Sequence, residues 1–128
     1  MRIEHVAFNV KDPVAVAAWY TEHLGMRIVR QAGPPVYTTF LAAETDHVLL
    51  EIYHNPPDAV PDYANMDPLL FHIAFECDDL DAERDRLLAA GATVQAPLLT
   101  TPDGDQLLMM RDPWGLAIQL AKRAKPMV

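Results

Sequence analysis

The chain is poor in cysteine, in positive charge and in long apolar runs. Cys77 is the only cysteine in 128 residues, so no internal disulfide can form. That fits a reducing compartment, and the cytoplasm is the expected location. Cys77 reads as a strand-end residue; a bridge between two copies or a reactive thiol is the alternative. Lys and Arg number 10 against 18 Asp and Glu, a formal net charge of −8. So few cations exclude a sequence-independent grip on phosphate backbones, which needs clustered Lys and Arg. The run Lys122-Arg123-Ala124-Lys125 reads as a solvated terminus. No apolar run approaches the ~20 residues that span a bilayer, and no basic segment leads into an apolar stretch as in a secretory leader. Low-complexity segments and signs of a second domain are also missing.

What remains is 51% apolar and 22% charged, the profile of one soluble globular domain. Its main signal is a repeat. Ile3-Glu4-His5-Val6-Ala7-Phe8 returns as Leu70-Phe71-His72-Ile73-Ala74-Phe75, with the histidines 67 residues apart. Each copy reads as a strand, at 3–10 and 70–77, and each precedes a helix, at 14–24 and 79–90. Asp12-Pro13 suits the first helix start, and Gly25 and Gly91 suit the left-handed turn after each helix. Three strands follow each helix, at 26–31, 36–42 and 47–53, then at 93–98, 106–111 and 116–121. Gly33-Pro34-Pro35 and Glu44-Thr45-Asp46 punctuate the first set; Pro102-Asp103-Gly104 and Asp112-Pro113-Trp114-Gly115 punctuate the second. Each half therefore reads βαβββ. The segment 55–69, with Pro56, Pro57, Pro61 and Pro68, reads as the connection between modules at about 1–54 and 70–124, or as a lid.

A polar side chain in a buried strand needs a partner, since leaving it unpaired costs roughly 1–3 kcal/mol. His5 and His72 each share a strand face with an alanine, Ala7 and Ala74, while Phe8 and Phe75 point the other way. The last strand of each half repeats the anomaly: Leu49-Leu50-Glu51-Ile52-Tyr53 and Ala117-Ile118-Gln119-Leu120-Ala121. Glu51 and Gln119 are 68 residues apart, close to the histidine spacing. Two imidazoles, a carboxylate and an amide oxygen make a plausible shell for a divalent ion. Ni, Co, Zn, Mn and Fe(II) all accept such ligands, so the donor set does not choose among them. The other reading of each residue alone is a hydrogen-bonded core group. His23, His47 and His54 take that plainer reading. Glu76 shares the His72 face near the strand end, and Tyr53 shares the Glu51 face as a substrate contact or a packing residue.

The chain resembles the vicinal oxygen chelate superfamily, the group of glyoxalase I, bleomycin- and fosfomycin-resistance proteins, extradiol dioxygenases and methylmalonyl-CoA epimerase. The residues that carry the resemblance are His5-Val6-Ala7-Phe8-Asn9-Val10, Trp19-Tyr20-Thr21-Glu22-His23-Leu24-Gly25-Met26, His72-Ile73-Ala74-Phe75 and Asp112-Pro113-Trp114-Gly115-Leu116-Ala117-Ile118-Gln119-Leu120. It implies an α+β fold of two βαβββ modules, whose cupped mixed sheet surrounds a metal cavity, commonly in a homodimer. The family's metal positions fall on His5, Glu51, His72 and Gln119. Glutamate is usual at the last, so Gln119 departs from the pattern. Asn9 is a second departure, because many glyoxalase I sequences place arginine there to bind glutathione. Two His, one Glu and one Gln also make up the set in methylmalonyl-CoA epimerase, with Glu and Gln in the opposite halves.

The resemblance implies a metal-dependent, glyoxalase-like lyase or isomerase of the lactoylglutathione-lyase type. It would act on a small substrate with vicinal oxygens through an enediolate-like intermediate. Glu51 would be both ligand and base, and Asn9 and Tyr53 would line the substrate site. A metal-free binding protein of the bleomycin-resistance type and an extradiol dioxygenase are the alternatives. The expected partners are a small molecule and a second copy of the chain, with neither nucleic acid nor membrane.

Overall fold

The computed structural model describes residues 1–44 and 47–128. Two aspartates open its two helices. Asp12 Oδ1 accepts the Ala15 N–H at 3.0 Å, and Pro13 takes the first helical position, where no N–H is required. Asp79 Oδ1 accepts the Ala82 N–H at 3.0 Å in the same way. Helices α1 (Pro13–His23) and α2 (Leu80–Ala89) are followed by glycines in the left-handed region, Gly25 at φ 66° and Gly91 at φ 97°.

The chain divides into two compact units, Met1–Pro61 and Asp62–Val128. In the first, β1 (His5–Asn9), β2 (Arg27–Gln31), β3 (Thr39–Ala42) and β4 (Leu49–Tyr53) form a sheet in the order β1-β4-β3-β2. β1 runs parallel to β4, and the other pairs are antiparallel. α1 packs on β2, β3 and β4. Its Val16, Ala17 and Tyr20, at helical spacing, are buried, as are Phe8, Leu41 and Ile52 on the strands.

The second unit repeats the plan. β5 (Ile73–Glu76), β6 (Thr93–Val94), β8 (Gln106–Arg111) and β9 (Ala117–Lys122) lie in the order β5-β9-β8-β6, and β7 (Leu99–Thr100) also pairs with β8. β5 runs parallel to β9. α2 packs on β6, β8 and β9; Leu80 and Leu87 are buried, with Leu108, Met110, Ile118 and Leu120 buried on the strands. Arg84 pairs with Asp81 at 2.6 Å and Arg86 with Glu83 at 2.5 Å across the solvent face of α2. Such exposed pairs contribute only about 0.2–0.5 kcal/mol each, so the buried leucines hold this helix down. The α+β class and both βαβββ modules are as expected from the sequence.

Several boundaries differ from expectation for local reasons. The strand expected at 93–98 stops after Val94. There Gln95 and Ala96 both donate to the Met109 carbonyl, at 2.8 and 3.2 Å, and Pro97 has no N–H to continue the ladder. Pairing resumes as the separate strand β7. The strand expected at 36–42 starts at Thr39, because Tyr37 takes a left-handed φ of 54° and donates to the Gly33 carbonyl. The strand expected at 70–77 starts at Ile73, so His72 lies just outside it. The turn expected at Glu44-Thr45-Asp46 falls partly on Thr45 and Asp46, which lie outside the described residues. Part of the 55–69 connection is structured: a 3₁₀ helix spans Tyr63–Asn65, with Tyr63 buried. Among the described residues no helix is long and apolar enough to cross a membrane.

Gly115 fixes where that 3₁₀ helix can lie. A Cβ there would sit 2.6 Å from Ala64 Cβ and 2.7 Å from Ala64 Cα, at a φ of 89°. Gly25 has φ 66° and nothing within 4 Å of the same point. Gly115→Ala should therefore destabilise the protein by about 2–5 kcal/mol, combining backbone strain with overpacking. Gly25→Ala should cost about 1 kcal/mol, from strain alone. Urea denaturation of the two variants checks the difference; equal losses would show that the Ala64 contact carries no weight.

Candidate functional site

Strand register positions the candidate side chains. In the first unit Ala7 stands opposite Glu51, and His5 precedes Ala7 by two residues on β1. Alternation puts all three on one sheet face, the face away from Phe8 and Ile52. In the second unit Ala74 stands opposite Gln119, and His72 precedes Ala74 by two residues. The same small residue thus faces the polar group in both units and leaves room beside it for an imidazole.

His5 and Glu51 meet: Nε2 lies 3.1 Å from Oε2. Glu51 is the more enclosed partner, its side chain 18% exposed against 38% for His5. Phe40, opposite Glu51 on β3, presents its ring edge-on to His5 at a centroid distance of 5.8 Å. The other ring nitrogen, Nδ1, bonds the Glu4 carboxylate. The Glu4 bond lifts the His5 pKa above the ordinary imidazole value; partial desolvation opposes it, and the charge of Glu51 adds to it. His5 therefore holds its proton to higher pH than a free imidazole. Glu4 is absent from the sequence expectations because alternation places it on the opposite face. β1 begins only at His5, so Glu4 lies outside the ladder and its side chain turns back.

His72 is oriented from outside its strand. Its Nδ1 lies 2.9 Å from the Pro68 carbonyl. A carbonyl only accepts, so Nδ1 carries the hydrogen and Nε2 carries the lone pair. A backbone carbonyl holding the far nitrogen is how ligating imidazoles are commonly fixed. Gln119 sits half-buried on β9, flanked by Ile118 and Leu120 on the buried face. The donor types fit a divalent ion: two imidazoles, one carboxylate and one amide oxygen, with no thiolate. Each unit supplies two of the four. Within either unit, among the described residues, no three His, Cys, Asp or Glu side chains gather into a metal-ready cluster.

The structure gives Asn9 a definite bonding role. Its Nδ2 donates to the Pro56 carbonyl at 2.7 Å, and its Oδ1 accepts the Asn55 N–H at 2.9 Å. The carboxamide thus ties the end of β1 to the segment after β4. Tyr53 is half-buried opposite Asn9, on the Glu51 face. His54 Nδ1 bonds the Val10 carbonyl at 3.0 Å, and His23 stacks near Trp19 at 5.2 Å, both structural contacts. His47 and Glu76 are exposed. Burial pushes the Cys77 thiol up, and the charge of Glu83 adds to the shift, so it is a poor nucleophile. Arg111 was not expected from the sequence. It closes an apolar run, Leu107-Leu108-Met109-Met110, and that setting is the one local signal that it is buried.

Residues 2–120 match the Glyoxalase/Bleomycin resistance protein/Dioxygenase superfamily. The chain belongs to this superfamily. An ethylmalonyl-CoA/methylmalonyl-CoA epimerase from Cereibacter sphaeroides is 33% identical over 98 residues, covering 73% of each chain. A glyoxalase family protein from Bacillus cereus superposes with a TM-score of 0.81 at 17% identity, over 95% of this chain and 93% of that one. An antibiotic-binding protein from Streptomyces superposes with a TM-score of 0.73 at 22% identity, over 97% of each chain. At such identities the two structures show the shared glyoxalase-like fold and no more.

The His5 environment yields a pH prediction for the metal-free protein. The folded pKa lies above the unfolded value, so His5 contributes stability that is fully present below the unfolded imidazole pKa. That contribution is lost as pH rises through the folded value. In an NMR titration Glu4→Gln should bring the His5 pKa down further than Glu51→Gln, because the Glu4 bond is the larger cause. An unchanged His5 titration in Glu4→Gln would refute this ordering.

Proposed function

We propose that this chain is a metal-dependent lyase or isomerase that moves a proton on the carbon beside a carbonyl, in a substrate with vicinal oxygens. The observation that carries the reading is the 3.1 Å contact between His5 Nε2 and Glu51 Oε2. Two donors from the first and last strands converge on one sheet face, and the second unit repeats their register with His72 and Gln119. In this reading His5, Glu51, His72 and Gln119 hold one divalent ion, with Asn9 and Tyr53 at the substrate. When bound, such an ion supplies charge stabilisation to an oxygen that gains negative charge.

The remaining chemistry belongs to the side chains. Glu51 is the carboxylate that takes and returns the proton, and its partial enclosure limits competition from water. His5 must give up its proton to ligate, so its raised pKa makes loading favour higher pH. Gln119 offers an oxygen or an N–H and cannot serve as a base. Glu76 is exposed and is no rival to Glu51. The name of the Cereibacter relative supports epimerisation beside a thioester carbonyl, so acyl-CoA esters are the first substrates to examine. Hemithioacetals of several thiols are the second. A homodimer in the cytoplasm is part of the same proposal.

Metal analysis of the purified protein, with His5→Ala and His72→Ala beside it, tests the core of the reading. Wild type should bind one divalent ion, and each alanine variant should lose it. A wild type that stays unloaded with Ni, Co, Zn, Mn and Fe(II) would leave a metal-free binding protein as the surviving alternative. Glu51→Gln should lower solvent-deuterium exchange into the substrate by roughly 10²–10⁴-fold, the usual contribution of a positioned base.

A further inference from the structure

Arg111 ends β8 and is only 9% exposed. It pairs with Ala117, as Met109 pairs with Gln119, so alternation places it on the sheet face that carries Gln119. All its acceptors are neutral. Nε donates to Gln95 Oε1 at 2.6 Å, Nη1 to the Tyr63 and Gly115 carbonyls at 2.7 and 2.8 Å, and Nη2 to the Met66 carbonyl at 2.8 Å. Among the described residues no carboxylate pairs with it. A buried guanidinium without a counter-ion is a costly choice if the task is stability alone, because apolar residues of similar volume usually do as well. Its planar fork suits another task, which is to hold several carbonyls in fixed relation.

Those carbonyls belong to the segment that reaches His72. Beyond Met66, Asp67 shapes a turn: its Oδ1 accepts the Leu69 N–H at 2.9 Å and its carbonyl accepts the Leu70 N–H at 3.0 Å. That turn delivers the Pro68 carbonyl to His72 Nδ1. Packing does not hold the segment in place. A cavity of about 550 Å³ lies beside it, lined by Asn65, Asp67, Gln95 and Arg111 among others, and Leu69 and Leu70 are exposed. The guanidinium is what joins this segment to the sheet.

We propose that Arg111 is a positioning residue: through the Tyr63–Met66 carbonyls it sets the Pro68 carbonyl, and so fixes the tautomer and orientation of His72. The role in metal binding rests on the function proposed above; the effect on the His72 tautomer does not. Removing the guanidinium frees the segment, lets the Pro68–His72 bond lapse, and lets the hydrogen move to Nε2. The imidazole then presents the wrong nitrogen.

Long-range ¹H–¹⁵N NMR on metal-free protein reads the tautomer directly. Wild-type His72 should carry its hydrogen on Nδ1. Arg111→Met should shift the signals toward the Nε2–H form, and Arg111→Lys, with one nitrogen in place of three, should fall between. Leu87→Ala, in the α2 core, provides a destabilised control with the segment intact and should keep the wild-type pattern. Cobalt titration should then show affinity reduced about 10–100-fold in Arg111→Met, the scale of outer contacts to ligating imidazoles. An unchanged His72 pattern in Arg111→Lys, or an equal shift in Leu87→Ala, overturns the proposal whether or not Arg111→Met folds. A wild type that shows the expected tautomer but takes up no cobalt overturns the metal function instead.

Discussion

Everything at the candidate site depends on the parallel pairing of a first strand with a last one. β1 lies beside β4, and β5 beside β9, each in one register. Parallel neighbours cannot be joined by a tight hairpin and need a long crossover. The helix and the intervening strands of each βαβββ unit provide it. Residues far apart in the chain thereby become lateral neighbours, and Glu51 arrives opposite Ala7. A one-residue slip in either pair would turn Glu51 or Gln119 into the helix-covered core, where an unpartnered polar group is expensive. Ile52 and Ile118, fully buried on the other face, guard against that slip.

The two halves solve the problem of a half-buried imidazole differently. His5 meets a carboxylate on each nitrogen, and its proton is favoured as a result. His72 meets a backbone carbonyl, which needs the neutral ring's hydrogen and leaves a lone pair on the other nitrogen. One imidazole is therefore held by charge and the other by a dipole. Under the proposed function the first must release a proton before it ligates, whereas the second is already in ligating form. The repeat visible in the sequence is a repeat of positions, not of electrostatics.

What could be read from the sequence follows from the range of the interactions involved. Helix starts at Asp12 and Asp79 and the turns at Gly25 and Gly91 are local, and they were readable. His5, Glu51 and Gln119 were readable because alternation shows which face a polar residue occupies, and the matched spacing links the halves. The break after Val94 was readable in principle from Pro97, but the strand pattern masked it. Arg111 was not readable as a clamp. Its acceptors at Tyr63, Met66 and Gly115 are backbone carbonyls, which every residue has, so no side-chain pattern marks them. The same holds for Asn9, whose partners are the backbone of Asn55 and Pro56. The Glu4 contact escaped because a strand-end residue is not bound by the alternation that orders its neighbours.

The unequal ends of the repeat limit the chemistry more than the equal ones. With Glu51 in one half and Gln119 in the other, the proposed site has one carboxylate where a proton can rest. A base that takes a proton and returns it to the same carbon can epimerise only if the carbanion is also reached from its second face. Glu51 can serve one face, and Gln119 can hold an oxygen on the other without accepting a proton. An isomerase that moves the proton between adjacent carbons on one face asks only for a single carboxylate. An epimerase needs a second proton donor on the opposite face, and the side chain that best combines that chemistry with a place among the candidates is the phenol of Tyr53, half-buried on the Glu51 face. Whether the product keeps or changes configuration therefore turns on that hydroxyl more than on the identity of the ion.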